Sequence, residues 1–348
     1  MPSAPDPLLV PLSFAATHGD GAKETLALRR GSADGALVRV HRGVYAPAPD
    51  VAALDPRGRH VLLCRAVVAA LGPRCVVSHA SAVEVLGLPR VLPPASGVDV
   101  GDPRRETVRL STHLRRRPGT VPVDEVERVG DITVTSLVRT ATDVALTGSF
   151  EQAVLCLDGA LRRLVLPRGH AEGAAVEARL ARWRSILGAR LGPPGRRGGT
   201  SARRALAFAS PWAENGGESL LRIVLHELGV GEVALQRVVR LGGRAAGRVD
   251  AFLEDHDTAV ELDGFVKLTD PAMLAGRTPA EAARDQNRRD QRLLAAPSVR
   301  RVVHCEYDDV VHPERLAGHL RRAGVTLDPR RVTRSVRAAA RRFAARPL

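Results

Sequence analysis

Four acidic residues in the C-terminal third of the chain have the types and spacing of a hydrolytic metal site. Glu218 lies at the start of an amphipathic helical segment, and Asp250 lies between apolar neighbours in a strand-like run. Glu261 and Asp263 are two residues apart in the next strand-like run, so their side chains share one of its faces. If these runs pair antiparallel through the short turn between them, Asp250 faces Glu261 across the sheet. Glu218 has an alternative explanation, because a carboxylate at a helix N-terminus favours the helix dipole.

Carboxylates gathered on one sheet face favour a bound cation, since they repel one another and are costly to bury. Mg²⁺ prefers hard oxygen ligands and keeps several of its waters, and Mn²⁺ is the alternative ion. Such an ion activates a water and neutralises the charge that develops on a phosphate. The cluster therefore predicts hydrolysis of a phosphodiester. No Gly-x-Ser-x-Gly string or Ser/His/Asp arrangement points to acyl transfer.

Lysine is rare in this chain, with two lysines among 52 basic side chains. Lys267 follows Asp263 by four residues, where a compact ammonium could orient a water or contact a phosphate. A surface lysine without a role is the alternative interpretation. Residues His304 and His312 flank a Cys-Glu-Tyr-Asp-Asp string that resembles a metal cluster, but such residues more often end a strand and cap the next helix.

The elements that must position these acids are a helix, three strands, a helix, a strand and a further helix. Residues 219–228 place apolar side chains on one helical face, and Gly229 follows as a stop. Strand-like runs cover residues 233–241, 248–253 and 259–263, separated by a Gly-Gly pair and a polar turn. This pattern is that of a three-strand meander with helices before and after it.

The N-terminal half predicts a mixture of helices and short strands. Helical apolar spacing covers residues 53–71 and 149–187, and three short strands lie between these segments. Residues 37–45 alternate apolar and basic side chains before a glycine, which suits a β-wing whose Arg39 and Arg42 touch phosphates. An ordinary solvent-facing hairpin is the alternative.

A Gly/Pro/Arg-rich string at residues 192–201 predicts a linker, because these residue types break regular structure. A length of 348 residues also exceeds what one hydrophobic core usually organises. The net charge of +14 is concentrated in residues 182–204 and 330–348, which carry seven arginines each and no acid. Arg196 and Arg197 of the linker are candidate phosphate contacts, and a merely solvated basic linker and tail is the alternative.

Composition favours a cytoplasmic protein that is neither exported nor inserted in a membrane. The four cysteines form no CxxC pair or Cys/His cluster, which argues against a zinc site and a disulfide framework. No apolar run approaches the ~18 residues of a membrane span. Aromatic residues make up 3% of the chain, so stacking platforms for single-stranded nucleic acid are scarce.

The N-terminal half resembles the AbiEi-type antitoxin-like proteins over about residues 14–165. The resemblance rests on Arg-Val-His-Arg-Gly-Val-Tyr at residues 39–45, Val-Ser-His-Ala-Ser-Ala at 77–82, Leu-Gly-Leu-Pro at 86–89 and Val-Thr-Ser-Leu-Val-Arg-Thr-Ala-Thr-Asp at 134–143. It implies a winged-helix-like N-terminus and a partner in a toxin-antitoxin or defence system. The segment before the wing is short in this chain, and no distinct recognition helix precedes it.

The C-terminal third resembles the family related to very-short-patch-repair endonucleases, within the PD-(D/E)XK nuclease superfamily. The matching strings are Glu-Ser-Leu-Leu-Arg from Glu218, Gly-Arg-Val-Asp-Ala-Phe around Asp250, Val-Glu-Leu-Asp-Gly around Glu261, and Arg-Arg-Asp-Gln-Arg-Leu-Leu at residues 288–294. The resemblance implies an α/β core of helix, three strands, helix and strand. It also implies that Asp250 and Glu261 are metal ligands and that Glu218 assists from the first helix. Residues of the second helix are expected beside the site: Arg288, Arg289 and Asp290.

One departure from the superfamily signature bears on activity. The signature expects an acid, any residue and a lysine, whereas here Glu261 and the next residue are followed by Asp263. Either Lys267 or Gln236 takes the role of that lysine, or the site has lost its activity.

These observations divide the chain into five segments and support two functional hypotheses. The first is a Mg²⁺-dependent endonuclease that acts on DNA, with Arg288 and Arg289 at the nucleic acid. The second is a non-catalytic, DNA-binding, antitoxin-like regulator that uses the nuclease fold as a scaffold. The segments are a winged-helix-like segment (1–48), a mixed α/β antitoxin-like region (49–190), a basic linker (191–212), a nuclease-like domain (213–325) and a basic tail (326–348).

Overall fold

The chain has a mixed α/β fold in the computed structural model, and its described residues fall into two compact units. Unit 1 comprises Met1–Ala160 and Ala181–Phe208, and unit 2 comprises Leu161–Leu180 and Ala209–Leu348. Among the described residues, no helix is both long enough and apolar enough to cross a bilayer. The structure describes residues 5–15, 22–72, 74–92, 96–111, 113–193, 195–263 and 279–344.

Unit 1 contains two sheets and the helices that pack on them. Its strands are β1 (Ser13–Phe14), β2 (Leu37–His41), β3 (Val44–Pro47), β4 (Val76–Val77), β5 (Val98–Asp102), β6 (Arg109–Ser111), β7 (Leu114–Pro118), β8 (Val126–Val129) and β9 (Ile132–Thr135). The helices that begin before residue 209 are α1 (Ala22–Ala33), α2 (Ala48–Ala53), α3 (Pro56–Leu71), α4 (His79–Val85), α5 (Leu137–Thr147), α6 (Phe150–Val165), α7 (Ala174–Arg190) and α8 (Gly199–Phe208).

The predicted wing is an antiparallel hairpin of β2 and β3 in a three-stranded sheet of order β1-β3-β2. Arg39 and Arg42 are exposed on it, as expected for the outward positions. The preceding helix, α1, has 12 residues, although the sequence shows no distinct recognition helix before the wing. The second sheet has the order β6-β7-β5-β4-β9-β8 and mixes parallel and antiparallel pairs. The hairpin is confirmed, and phosphate contact by its arginines stays a prediction.

The prediction of a linker at residues 191–212 is wrong for the ten residues that form α8. Ala202, Ala205 and Leu206 of this helix are buried, so the segment is part of a packed core. Gly198 precedes the helix with a φ of +79°, and a Cβ there would lie 2.0 Å from the carbonyl oxygen of Leu146. The glycines of this string thus permit close backbone packing. The unit boundary falls after α8, and further boundaries fall inside α6 and α7.

Unit 2 has the predicted order of elements around the acidic residues. Helix α9 begins after the N-cap Asn215 and ends at Gly229, whose φ of +79° is the left-handed conformation that glycine favours. The elements are α9 (Gly216–Leu228), β10 (Val233–Leu241), β11 (Arg244–Leu253), β12 (Thr258–Asp263), α10 (Pro279–Leu294), β13 (Arg301–Glu306), α11 (Tyr307–Val311), α12 (Pro313–Arg322) and α13 (Pro329–Phe343).

The sheet of unit 2 has the order β10-β11-β12-β13 and is covered on both faces. Its first three strands are antiparallel, and β12 and β13 run parallel. Leu253 and Val260 lie in a buried cluster with Leu221 of α9. Phe252 lies in a second cluster with Leu293 of α10. The two helices therefore hold β11 and β12, the strands that carry the acids, from opposite sides.

Residues 329–343 of the predicted basic tail form the amphipathic helix α13, so the alternative of a merely solvated tail does not hold for them. Its arginines are spaced so that one side of the helix remains apolar, and Ser335 and Ala339 are buried. Glu227 of α9 accepts hydrogen bonds from Ser335 Oγ at 2.7 Å and from Arg342 Nη2 at 2.6 Å. Most of this basic segment is therefore a structural part of unit 2.

Truncation of Leu221 to alanine should destabilise unit 2 by about 2–5 kcal/mol, because the removed side chain is fully buried and leaves a cavity. The matched control is Leu294→Ala on α10, where the side chain is 47% exposed and the expected change is within about 0.5 kcal/mol. Urea unfolding of both variants measures the difference. Equal losses of stability would contradict the packing described for α9.

Candidate active site

Strands β11 and β12 bring Asp250 and Glu261 to neighbouring positions. Ala251 lies opposite Val260 in the antiparallel register, and the two acids are the adjoining residues on each strand. Asp250 Oδ2 accepts a hydrogen bond from the backbone N–H of Leu262 at 2.9 Å. The predicted pairing of these strands is confirmed, and the bond to Leu262 ties the Asp250 carboxylate to β12.

Gln236 links Glu218 to Asp250 through one amide group. Its Nε2 atom donates to Glu218 Oε2 at 3.0 Å and to Asp250 Oδ1 at 3.2 Å. The residue is 2% exposed and has a φ of +52° within β10. A left-handed non-glycine residue costs about 1–3 kcal/mol and persists where the surrounding structure holds it, often at functional sites. The left-handed backbone at Gln236 accompanies the placement of its amide between two carboxylates.

Glu218 is held in one orientation by three donors. Its Oε2 atom accepts from the backbone N–H of Glu214 at 2.7 Å in addition to Gln236, and its Oε1 atom accepts from Asn215 Nδ2 at 2.7 Å. Asn215 Oδ1 in turn accepts from the Glu218 backbone N–H and caps α9. The carboxylate lies in the first turn of the helix, so a favourable interaction with the helix dipole applies as well.

Glu261 is buried and contacts one cation of α10. Arg289 Nη2 donates to Glu261 Oε1 at 2.7 Å and also to the backbone carbonyl of Arg248 at 2.7 Å. Burial and then the Asp250 carboxylate raise the pKa of Glu261 to about 7, against the opposing effects of Arg289 and His304. Arg289 therefore compensates Glu261 in part.

Glu218 is also a buried carboxyl group whose charge is only partly compensated by its neighbours. Burial raises its pKa to about 7, the hydrogen bond from the Glu214 backbone opposes the rise, and the charge of Asp250 adds to it. Two carboxyl groups on either side of Asp250 thus resist ionisation near neutral pH. A cation bound at Asp250 would remove this penalty, because an opposite charge favours the ionised form.

The carboxylates of Asp250 and Glu261 are the oxygen donors that a divalent ion could use at this site. Within the described part of the chain, no group of three or more His, Cys, Asp or Glu side chains forms a ready metal site. Mg²⁺ is commonly bound by one or two carboxylates, with waters and substrate phosphates completing its shell. Each oxygen of Asp250 accepts one hydrogen bond and retains a lone pair. Asp250 and Glu261 therefore fit Mg²⁺ and do not fit a closed zinc site.

Asp263 belongs to a second chain of contacts that runs through His304. Imidazole Nδ1 of His304 lies 3.0 Å from Asp263 Oδ2, and its Nε2 lies 2.9 Å from Asp290 Oδ2. The hydrogen bond to Asp263 is the largest cause that raises the pKa of His304 to about 9, and Asp290 adds to it. His304 is therefore a cation at neutral pH, and Gln286 Nε2 donates to the same Asp263 oxygen at 3.3 Å.

The structure brings together the four predicted acids in unit 2. Glu218 and Asp250 share Gln236, and the charges of Asp250 and Asp263 both act on Glu261. Lys267 lies outside the described residues. Arg288 is exposed beside its ion pair with Asp285 at 3.8 Å. The remaining candidates for nucleic-acid contact lie in unit 1, and their role stays a prediction: Arg39, Arg42, Arg196 and Arg197.

His304 and Gln286 are the contacts that the sequence does not reveal. The sequence identifies Gln236 as a substitute for the signature lysine, and the structure puts it in contact with the acids. The sequence predicts that the residues around His304 end a strand and cap the next helix, and β13 does end at Glu306, which forms a capping box with Asp309. The parallel register that sets Glu261 opposite His304 joins strands far apart in sequence, so spacing gives no signal for it.

Two relatives establish the family. The chain is 32% identical over 261 residues to uncharacterized protein MT2308 of Mycobacterium tuberculosis strain CDC 1551 / Oshkosh, an alignment that covers 73% of this chain and 81% of the relative. The same values hold for uncharacterized protein Rv2248 of strain ATCC 25618 / H37Rv. The chain belongs to the family of these two proteins. No family model matches the chain. No solved structure matches it.

The raised pKa of Glu261 predicts that unit 2 loses stability as the pH rises. Between its ordinary pKa of 4.5 and about 7, the folded carboxyl keeps a proton that the unfolded chain releases. The free energy of unfolding therefore falls across this window, by up to about 3 kcal/mol from this group. Glu261→Gln should flatten the dependence in urea unfolding with EDTA present.

The matched control for this prediction is Glu314→Gln, which changes an exposed glutamate in the first turn of α12. This variant should keep the wild-type dependence of stability on pH. A Glu261→Gln variant with an unchanged dependence would show that burial and Asp250 do not act on this carboxyl as described.

Proposed function

We propose that unit 2 is a Mg²⁺-dependent, nuclease-like domain that hydrolyses phosphodiester bonds of DNA. The substrate class follows from the chemistry of the site, in which carboxylates suited to a hard cation lie beside exposed arginines of α10. The order of α9, β10, β11, β12, α10 and β13 agrees with the order expected of a restriction-endonuclease-like core. Mn²⁺ is the expected substitute ion.

The observation that carries this proposal is the excess of carboxylates around Asp250. Glu218 and Glu261 each have a pKa of about 7, which burial and the charge of Asp250 explain. A buried cluster that served stability alone would have its charges paired or replaced by apolar groups, since unpaired buried charge is costly. The imbalance supports a site that takes up a cation together with a phosphate.

Asp250 and Glu261 would hold the ion, which when bound supplies an activated water and neutralises charge on the phosphate. Gln236 fixes the orientation of Asp250 Oδ1, and the backbone N–H of Leu262 fixes that of Oδ2. Arg289 keeps Glu261 Oε1 in place. Glu218 is a positioning residue, because it acts on Asp250 through the amide of Gln236.

The role of the signature lysine falls to another cation in this proposal. Asp263 occupies the region where the signature expects lysine, and it contacts the imidazole of His304. His304 carries a positive charge at neutral pH, which suits contact with a phosphate oxygen or orientation of a water. Lys267 remains a second candidate for the same role.

A non-catalytic regulator is the second candidate function, and one observation favours it. Asp263 contacts His304 and Gln286, so the position where the signature expects a lysine is engaged in hydrogen bonds. In that case the domain would bind DNA as a scaffold, in keeping with the antitoxin-like resemblance of the N-terminal half. A protein partner from a toxin-antitoxin or defence system is part of both candidates.

Asp250→Asn should abolish cleavage of DNA while leaving the fold intact, because the amide keeps the size of the carboxylate and loses its charge. Purified protein is incubated with plasmid and single-stranded DNA in Mg²⁺, Mn²⁺ or EDTA, and products are resolved on gels. Cleavage by the wild type should require the metal and fall by at least about 100-fold in the variant, as for loss of a group that stabilises charge in the transition state.

Asp255→Asn is the matched control, since Asp255 is exposed in the turn between β11 and β12 of the same unit. This variant should cleave like the wild type. If wild-type protein binds DNA with a steep salt dependence and yields no product in any metal, the nuclease proposal fails and the regulator remains.

A further inference from the structure

A groove of about 630 Å³ opens in unit 2 between α10 and the tip of the β10–β11 hairpin. Asp285, Arg288 and Arg292 of α10 line one wall at spacings of three and four residues, which places them on one helical face. The hairpin wall contributes Leu241, a large apolar side chain that is 40% exposed. The lining residues are Leu241, Asp285, Arg288, Gln291, Arg292 and Ala295.

The groove carries more positive than negative charge. The lining contains two arginines, Arg288 and Arg292, and one acid, Asp285. Asp285 forms an exposed ion pair with Arg288 at 3.8 Å. Arg244 lies directly opposite Leu241 in the hairpin register, so its side chain emerges on the same face. Among the described residues, no acid pairs with Arg244 or Arg292. Such a surface complements a polyanion.

Helix α10 connects this groove with the acidic residues. Arg288 lines the groove, and the next residue, Arg289, donates to Glu261 at 2.7 Å. Leu293 of the same helix is fully buried against the sheet, and a Cβ at Gly247 of β11 would lie 3.0 Å from it. The packing of Leu293 against the sheet therefore fixes α10, and with it the relative positions of Arg288 and Arg289.

We propose that this groove binds the sugar-phosphate backbone of one DNA strand and presents it to the acidic site. Arg288, Arg292 and Arg244 contact phosphates, and Leu241 packs against a sugar between them. The inference rests on the proposed function of unit 2 and adds the surface that holds the substrate. It assigns a role to Leu241 and Arg244, which lie outside the sequence motifs, and to Arg292, whose role the motif does not specify.

The test compares the double variant Arg288→Gln/Arg292→Gln with Arg321→Gln/Arg322→Gln. Both remove two charges from exposed arginines of unit 2, and the second pair lies on α12, outside the groove. Binding of a short labelled DNA duplex is measured by fluorescence anisotropy at several salt concentrations in EDTA. The groove variant should bind more weakly, and its salt dependence should be shallower by about 2 in log Kd against log salt. The control variant should keep the wild-type slope.

Cleavage kinetics in Mg²⁺ separate the groove from the chemistry. The groove variant should raise KM and leave kcat near the wild-type value, because no residue that contacts the acids is changed. If the wild type cleaves DNA and the groove variant has the same KM and the same salt slope, the groove proposal is wrong and the nuclease proposal stands. A wild type that neither binds nor cleaves DNA overturns both. Binding of a matched RNA without DNA binding also overturns the assignment.

Leu241→Ser tests the apolar contact on its own. Leu241 is uncharged, so its contact with DNA releases no counterions. This variant should therefore weaken binding and leave the salt slope unchanged. Leu294→Ser is the matched control, because Leu294 is 47% exposed on α10 and does not line the groove. Unchanged affinity in the Leu241 variant would remove the hairpin tip from the binding surface.

Discussion

The crowding of carboxylates around one glutamine amide is the constraint on which the candidate site depends. Gln236 gives its amide to both Glu218 and Asp250, and neither bond supplies a positive charge. Three acids therefore share a partly buried space in which Arg289 is paired with Glu261 alone. This arrangement has a cost in stability that protonation or a bound cation relieves. The sheet and its two helices supply the packing that tolerates this cost.

Helix α10 connects the acidic site with the sheet and with the groove. Its buried side anchors it on β11, its Arg289 and Asp290 contact the acids and His304, and its exposed arginines face the groove. Helix α13 supports α9, the helix that carries Glu218. Ser335 and Arg342 of α13 donate hydrogen bonds to Glu227 of α9. These hydrogen bonds to Glu227 are a physical reason why a basic segment predicted as a tail packs as a helix.

The acids could be predicted from the sequence because strand alternation and helix periodicity are local rules. Residues 233–241 form the predicted strand, and Gly229 ends the predicted helix. Helix α8 could not be predicted in the same way, because Gly198 before it serves a close approach to the carbonyl of Leu146 that the local sequence does not show. His304 reaches the site through the parallel pairing of β12 with β13, and Gln286 reaches it from α10, and no local pattern specifies either contact. The left-handed conformation of Gln236 is likewise not specified by a local pattern.

Calorimetric titration of Mg²⁺ into the protein, in two buffers with different ionisation enthalpies, is the most direct test of the unbalanced acidic cluster. The carboxyl groups of Glu218 and Glu261 have pKa values of about 7, so binding at that pH should release protons and strengthen as the pH rises through it. The Asp250→Asn variant should lose this binding. Absence of Mg²⁺ binding to the wild type, or binding without proton release, would contradict the account.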